Sequence, residues 1–233
     1  MPLPKIDLPI FDTILPSNNK KICYRAFTVK EEKLLLMAAS DEADDDIILT
    51  VKQIINNCIV EPNDLDVSDL PFFDFEYLFI QIRSKSVGET VTLRFRHNEN
   101  DCGHINEIEV PLEEVKLNSV PKKGKFMITD KFGVCMRYPS IDEVHRYQNE
   151  SINKVFDLLS DLVQYFYDET MVYDDFSKKE LQEFMESLPN EAGKKMLNFV
   201  TNMPTVKYMV DFKCGKCEKT LAMEVKSLKD FFV

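Results

Sequence analysis

With 233 residues, 44% of them hydrophobic, and a formal net charge of −11, the chain is long enough to bury a sizeable core. Its lysines gather only in short clusters (Lys20-Lys21, Lys122-Lys123-Lys125, Lys178-Lys179, Lys194-Lys195), so no basic face tracks a phosphate backbone, and the composition argues against nucleic-acid binding. The longest apolar runs fall short of the ~18–20 residues that span a bilayer, and a start carrying Pro2, Pro4, Asp7 and Pro9 reads as no signal peptide.

The six cysteines are unevenly placed, which points to a reducing cytosol rather than a disulfide scaffold. Cys23, Cys58 and Cys135 sit in apolar contexts and read as core residues.

Residues 1–20 read as an extended, proline-rich segment anchored by Leu3, Ile6, Leu8, Ile10, Phe11, Ile14 and Leu15. So many anchors imply docking, either on a partner or as a peripheral strand on the chain's own body. Residues 21–28 alternate as a strand. Thr28 then caps a helix, with Glu31 three residues on completing a capping box, and that helix carries Leu34, Leu35, Leu36, Met37 and Ala38. Asp41 to Asp46 reads as a solvated acidic loop, since the side-chain order of an EF-hand is missing.

A second helix has Ile47, Ile48, Val51, Ile54 and Ile55 at helical spacing and stops before Pro62. A third, Phe75 to Ser84, opens at Asp69 or Asp74 and buries Phe75, Leu78, Phe79 and Ile82. The Ser84–Glu89 stretch resembles a phosphate loop only superficially, because it follows a helix and lacks spaced glycines.

Two β-hairpins are then predicted, far apart. The first has Val91, Leu93 and Phe95 before a polar turn and Ile108-Glu109-Val110 after it; the second has Tyr208, Val210 and Phe212 before its turn and Met223-Glu224-Val225 after it. The turns carry matching ligand types, His97 and Cys102 in one, Cys214-Gly215-Lys216-Cys217 in the other. Two soft ligands from each of two hairpins are the halves of a zinc-ribbon site. The expected set is His97, Cys102, Cys214 and Cys217, with His104 a rival for His97, and the expected metal is a structural zinc, since four protein ligands leave no position for water. Two other readings stay open: the hairpins pack without metal, or Cys214 and Cys217 form a redox pair, although such a pair belongs at the start of a helix in a βαβ setting.

Between the hairpins, Phe126–Ile128 and Gly133–Arg137 read as strands, and helices fit 141–149, 151–167, 177–187 and 191–201. Ser140 with Glu143 and Ser177 with Glu180 form capping boxes, and Pro189 and Pro204 mark breaks. No catalytic motif appears. There are three histidines, two beside the candidate knuckle and His145 on a polar helix face, so an enzyme is unsupported.

Three stretches together resemble one family: Tyr24 to Leu36 (Tyr-Arg-Ala-Phe-Thr-Val-Lys-Glu-Glu-Lys-Leu-Leu-Leu), Phe73-Asp74-Phe75-Glu76-Tyr77-Leu78 through Arg83-Ser84-Lys85-Ser86-Val87-Gly88-Glu89, and Phe95 to Val110 with its cysteine. They are similar to the baseplate hub assembly proteins of T4-like contractile-tailed bacteriophages, and Leu15-Pro16-Ser17 fits the same pattern. The resemblance implies a Cys-x-x-Cys in the first hairpin, from which His97 and its longer loop depart. It also implies a virus-encoded, non-catalytic protein that acts in the host cytoplasm during tail assembly and helps build the central hub, as a chaperone of tape-measure or hub proteins or as a subunit kept in the virion baseplate. A cellular zinc-ribbon adaptor, which should show a basic patch, and an enzyme with an unrecognised site are the alternatives.

The expected fold is α+β: an extended segment 1–20, a mainly helical body over 21–138 and 205–233 carrying the zinc-ribbon-like hairpins, and a helical insert over 139–204. The expected partners are protein chains, with no nucleic acid and no membrane.

Overall fold

The computed structural model describes residues 6–40, 44–147 and 152–225. Expectations that fall on Leu3, on 41–43 of the acidic loop, on 148–151 at two helix ends and on the last residues lie outside them.

The chain opens with β1 (Ile10–Ile14), which pairs antiparallel with β2 (Lys21–Arg25). The anchor-rich segment is thus in part a peripheral strand on its own body. α1 (Val29–Ser40) follows, then α2 (Asp44–Cys58), β3 (Ile59–Glu61) and α3 (Phe72–Ser86). Asp44 to Asp46 are therefore the first residues of a helix rather than loop. β3 joins β2 to complete a three-stranded sheet.

β4 (Thr90–Arg96) and β5 (Ile105–Pro111) form the first hairpin, and β6 (Lys116–Leu117) follows. Next come β7 (Lys125–Met127), β8 (Gly133–Met136), α4 (Ile141–Tyr147), α5 (Ile152–Leu162), β9 (Val163–Tyr167) and β10 (Val172–Tyr173). α6 (Lys178–Ser187), α7 (Asn190–Thr201), β11 (Val206–Lys213) and β12 (Thr220–Val225) close the chain. β11 and β12 make the second hairpin, and β6 adds to β11.

The α+β class holds, but with 40% helix and 29% strand the protein is not mainly helical. The largest difference lies at 163–167, expected as the end of a helix. This stretch is rich in β-branched and aromatic residues and pairs antiparallel with β8, Val134 opposite Phe166 and Cys135 opposite Tyr165. Gly133 permits that pairing, since a Cβ there would lie 2.2 Å from the Tyr167 ring.

Among the described residues, those within Met1–Val67, Phe73–Ser119 and Thr205–Val233 form one compact unit, and Ser68–Phe72 with Val120–Pro204 a second. β7 and β8 belong to the second unit through their pairing with β9. The first is built round α3, where Phe73, Phe75, Leu78, Phe79, Ile80 and Ile82 are all at most 1% exposed. Burial on that many sides makes α3 a central helix, and each such side chain contributes roughly 1.5–3 kcal/mol. The second packs Val134, Met136, Leu159, Leu162, Phe166 and Met196 into its own core.

One device starts a helix in each unit. Arg25 grips both carboxylate oxygens of Glu31 at 2.8 and 2.9 Å, while Glu31 accepts the Thr28 N–H at 2.7 Å. Arg137 grips Glu143 at 2.6 and 2.7 Å, while Glu143 accepts the Ser140 N–H at 2.9 Å. The spacing Arg-x-x-Thr/Ser-x-x-Glu is the same in both, so each capping glutamate is fixed by an arginine at the end of the preceding strand or one residue beyond it.

Candidate metal centre

Each hairpin ends in a turn that folds its ligands inward. In the first, the His97 N–H donates to the His104 carbonyl at 2.8 Å and the Gly103 N–H returns to the His97 carbonyl at 2.9 Å. Asp101 and Gly103 both take positive φ (54° and 63°), which curls the longer loop so that Cys102 comes back toward His97. In the second, the Cys214 N–H donates to the Lys219 carbonyl at 3.0 Å and the Glu218 N–H to the Cys214 carbonyl at 2.9 Å, with Glu218 at φ 57°.

The ligand atoms of His97, Cys102, Cys214 and Cys217 all lie within 4.8 Å of one another. Cys102 Sγ is 3.8 Å from Cys214 Sγ, and Cys217 Sγ is 3.4 Å from His97 Nδ1. A tetrahedral ion with sulfur at ~2.3 Å and nitrogen at ~2.0–2.1 Å requires edges of about 3.8 Å between sulfurs and about 3.5 Å from sulfur to nitrogen. These two edges match, and with all four donor atoms within 4.8 Å of one another the cluster is one that could hold a metal ion. A disulfide needs ~2.05 Å, and these cysteines are unbridged. His97 is buried, and its Nε2 has no hydrogen-bond partner among the described residues.

His104 stands outside this set. It lies against Gly215, where a Cβ would come within 3.0 Å of its Nε2, so glycine in the second turn leaves room for the first.

Electrostatics suits a cation. Burial raises the Cys214 thiol, but backbone N–H groups of Cys217 and Lys216, with His97 and Cys217, outweigh it and bring the thiol down to about 5. At Cys217 the Lys219 N–H lowers the thiol, yet burial and the crowding of Cys214 and Cys102 leave it raised on balance. One thiol ionises readily and its neighbour resists, because adjacent thiolates repel; a bound cation lets them ionise together.

Asn106 is the residue that sequence reasoning missed. From β5 its Oδ1 accepts the Gly215 N–H at 2.9 Å, and its Nδ2 points to Cys214 Sγ at 3.8 Å and the Phe95 carbonyl at 3.5 Å. The available signal was a buried-face register position, with Ile108 and Val110, held by an amide. Lys216 Nζ also donates to the Cys102 carbonyl at 2.9 Å, Lys219 pairs with Glu99, and the Phe95 and Phe212 rings meet edge to face at 5.6 Å. Of the remaining cysteines, Cys58 is buried, its thiol pushed up to about 12 by burial, while Cys23 and Cys135 are half-buried. No helix of the described residues is long and apolar enough to cross a membrane.

With fold and site in view, comparison with known proteins gives the class: the family described as T4 bacteriophage base plate protein matches residues 8–233, and the chain belongs to it. More particularly, it is 26% identical over 223 residues to the baseplate hub assembly protein gp26 of Enterobacteria phage T4, a span covering 92% of this chain and 93% of that protein. No solved structure matches.

Proposed function

We propose that this protein is a non-catalytic assembly factor of a phage baseplate hub, working in the host cytoplasm by holding hub or tape-measure chains and retained, in part, in the virion baseplate. The observation that carries this reading is the match to gp26 along nearly the whole of both chains, within a family match over residues 8–233.

Exposed apolar side chains support it. Val29, Leu36 and Met37 on α1 are 81%, 58% and 55% exposed, and Ile10 and Ile14 stand out from β1, the latter within the anchor-rich segment that the sequence suggests for docking. We further propose that His97, Cys102, Cys214 and Cys217 hold one zinc ion in a zinc-ribbon-like element. Bound there, the ion supplies folding free energy rather than turnover. The ion then pins the two hairpins, which belong to one compact unit, to each other.

The test is affinity purification of the tagged chain from phage-infected cells, followed by mass spectrometry. Enrichment of hub or tape-measure proteins over an unrelated tagged phage protein is the expected result. Recovery of the chain without any tail protein overturns the reading.

A further inference from the structure

We infer that the cleft between β5 and β11 is a strand-acceptor site for an extended segment of a partner chain in which apolar and basic residues alternate. On β5, the bond from the His97 N–H to the His104 carbonyl sets the parity of the ladder, which the register continues through Phe95↔Asn106 and Leu93↔Ile108. The backbone groups of Ile105, Glu107 and Glu109 therefore point away from β4, and β4 is β5's one sheet neighbour among the described residues.

On β11, the bond from the Cys214 N–H to the Lys219 carbonyl sets the parity in the same way, continued by Phe212↔Leu221 and Val210↔Met223. Met209, Asp211 and Lys213 thus turn their backbone groups away from β12. β6 shows that this edge takes a strand: it pairs at Val206 and Lys207, and the Asn118 N–H donates to the Thr205 carbonyl at 3.0 Å. Beyond Lys207 the edge is open among the described residues.

A cleft of about 800 Å³ lies between the two edges, lined by consecutive residues from His104 to Glu109 and from Val210 to Lys213. A sheet face would offer alternate residues; consecutive ones mark edges. Open edges are recognised by main-chain hydrogen bonding to an added strand.

Side chains give the occupant's chemistry. Ile108, Val210 and Phe212 offer apolar contact. Glu107 is engaged by Arg94 at 3.0 Å, while Glu109 and Asp211 have no ion-pair partner among the described residues and outnumber Lys213 in the lining, so the rims favour a basic residue on the incoming strand.

The inference rests on the assembly reading only for the existence of a partner. It is tested with the full chain and a fluorescent synthetic peptide alternating valine and lysine, compared with a valine–glutamate peptide and with a peptide of the same composition in blocks. Expected are binding of the alternating basic peptide, slowed amide exchange at Ile105, Glu107, Glu109, Asp211 and Lys213, and about tenfold weaker binding in the Glu109→Lys, Asp211→Lys double variant at unchanged melting temperature.

No binding, equal binding of either comparison peptide, or protection elsewhere overturns it. So do amides already protected in the free protein: a monomer by light scattering then means the chain's own segment fills the cleft, a dimer that a second copy does. Affinity purification does not depend on this cleft, so the two tests fail separately.

Discussion

Cys102 and Cys214 are 112 residues apart in the chain, yet their sulfurs lie 3.8 Å apart, the edge of a zinc–thiolate tetrahedron rather than of a disulfide. The purified protein is therefore expected to carry about one zinc per chain by elemental analysis. Cys214→Ser should lose it, and the melting temperature should drop by roughly 10 °C or more, a loss of a few kcal/mol in a protein of this size. A well-folded wild type without metal sinks the site and leaves two hairpins packed through Phe95 and Phe212.

Asn106 should matter beyond its size. Asn106→Ala leaves the part-buried Gly215 N–H without its acceptor, which costs about 1 kcal/mol and should weaken metal affinity by roughly 10–100-fold. Competition against a chromophoric chelator reads the second effect and calorimetry the first. Asn106→Asp keeps the acceptor but loses the N–H donors that face Cys214 and Phe95, and should fall between the two.

How far the sequence reached follows from the range of each interaction. The cluster of His97, Cys102, Cys214 and Cys217 was legible because hairpin alternation and Cys-x-x-Cys spacing are local patterns. Strand β9 was not: Leu158, Leu159, Leu162, Val163 and Phe166 keep helical spacing while 163–167 also suits a strand, and the choice is made by β8, whose Cys135 lies opposite Tyr165. Asn106 was hidden for the same reason, since its partner Gly215 is 109 residues away. β1 was ambiguous because a short strand among prolines shows its nature only through β2.

The paired arginines give a prediction on helix starts. Glu31→Ala removes an acceptor of the Thr28 N–H and strands the half-buried Arg25; Glu143→Ala does the same for Ser140 and Arg137. Each should cost about 1–3 kcal/mol by denaturant unfolding. The Arg137 side chain is more exposed than that of Arg25, 42% against 22%, so salt should weaken the Glu143 effect more. Arg25→Lys should recover only part of the stability, because an ammonium cannot grip both oxygens. Equal stability of Glu31→Ala and wild type removes the cap from the account.

Glu76 sets a pH dependence. It is buried on α3, where desolvation raises its carboxyl to about 8 against the one bond it accepts, from the Val206 N–H. Its other oxygen has no partner among the described residues. The folded state thus holds a proton that the unfolded chain releases near pH 4.5. Stability from this group is full below that pH, declines as pH rises above it, and is lost once pH passes about 8. Asp74, raised by desolvation to about 6 although it accepts bonds from Ser17, acts in the same direction and over a lower range. Glu76→Gln keeps a carbonyl for the Val206 N–H and carries no charge. Relative to wild type it should gain stability steadily between pH 5 and 9, on the order of a few kcal/mol at the alkaline end. Urea unfolding of both proteins across that range measures the difference, and a difference independent of pH means the carboxyl does not titrate there.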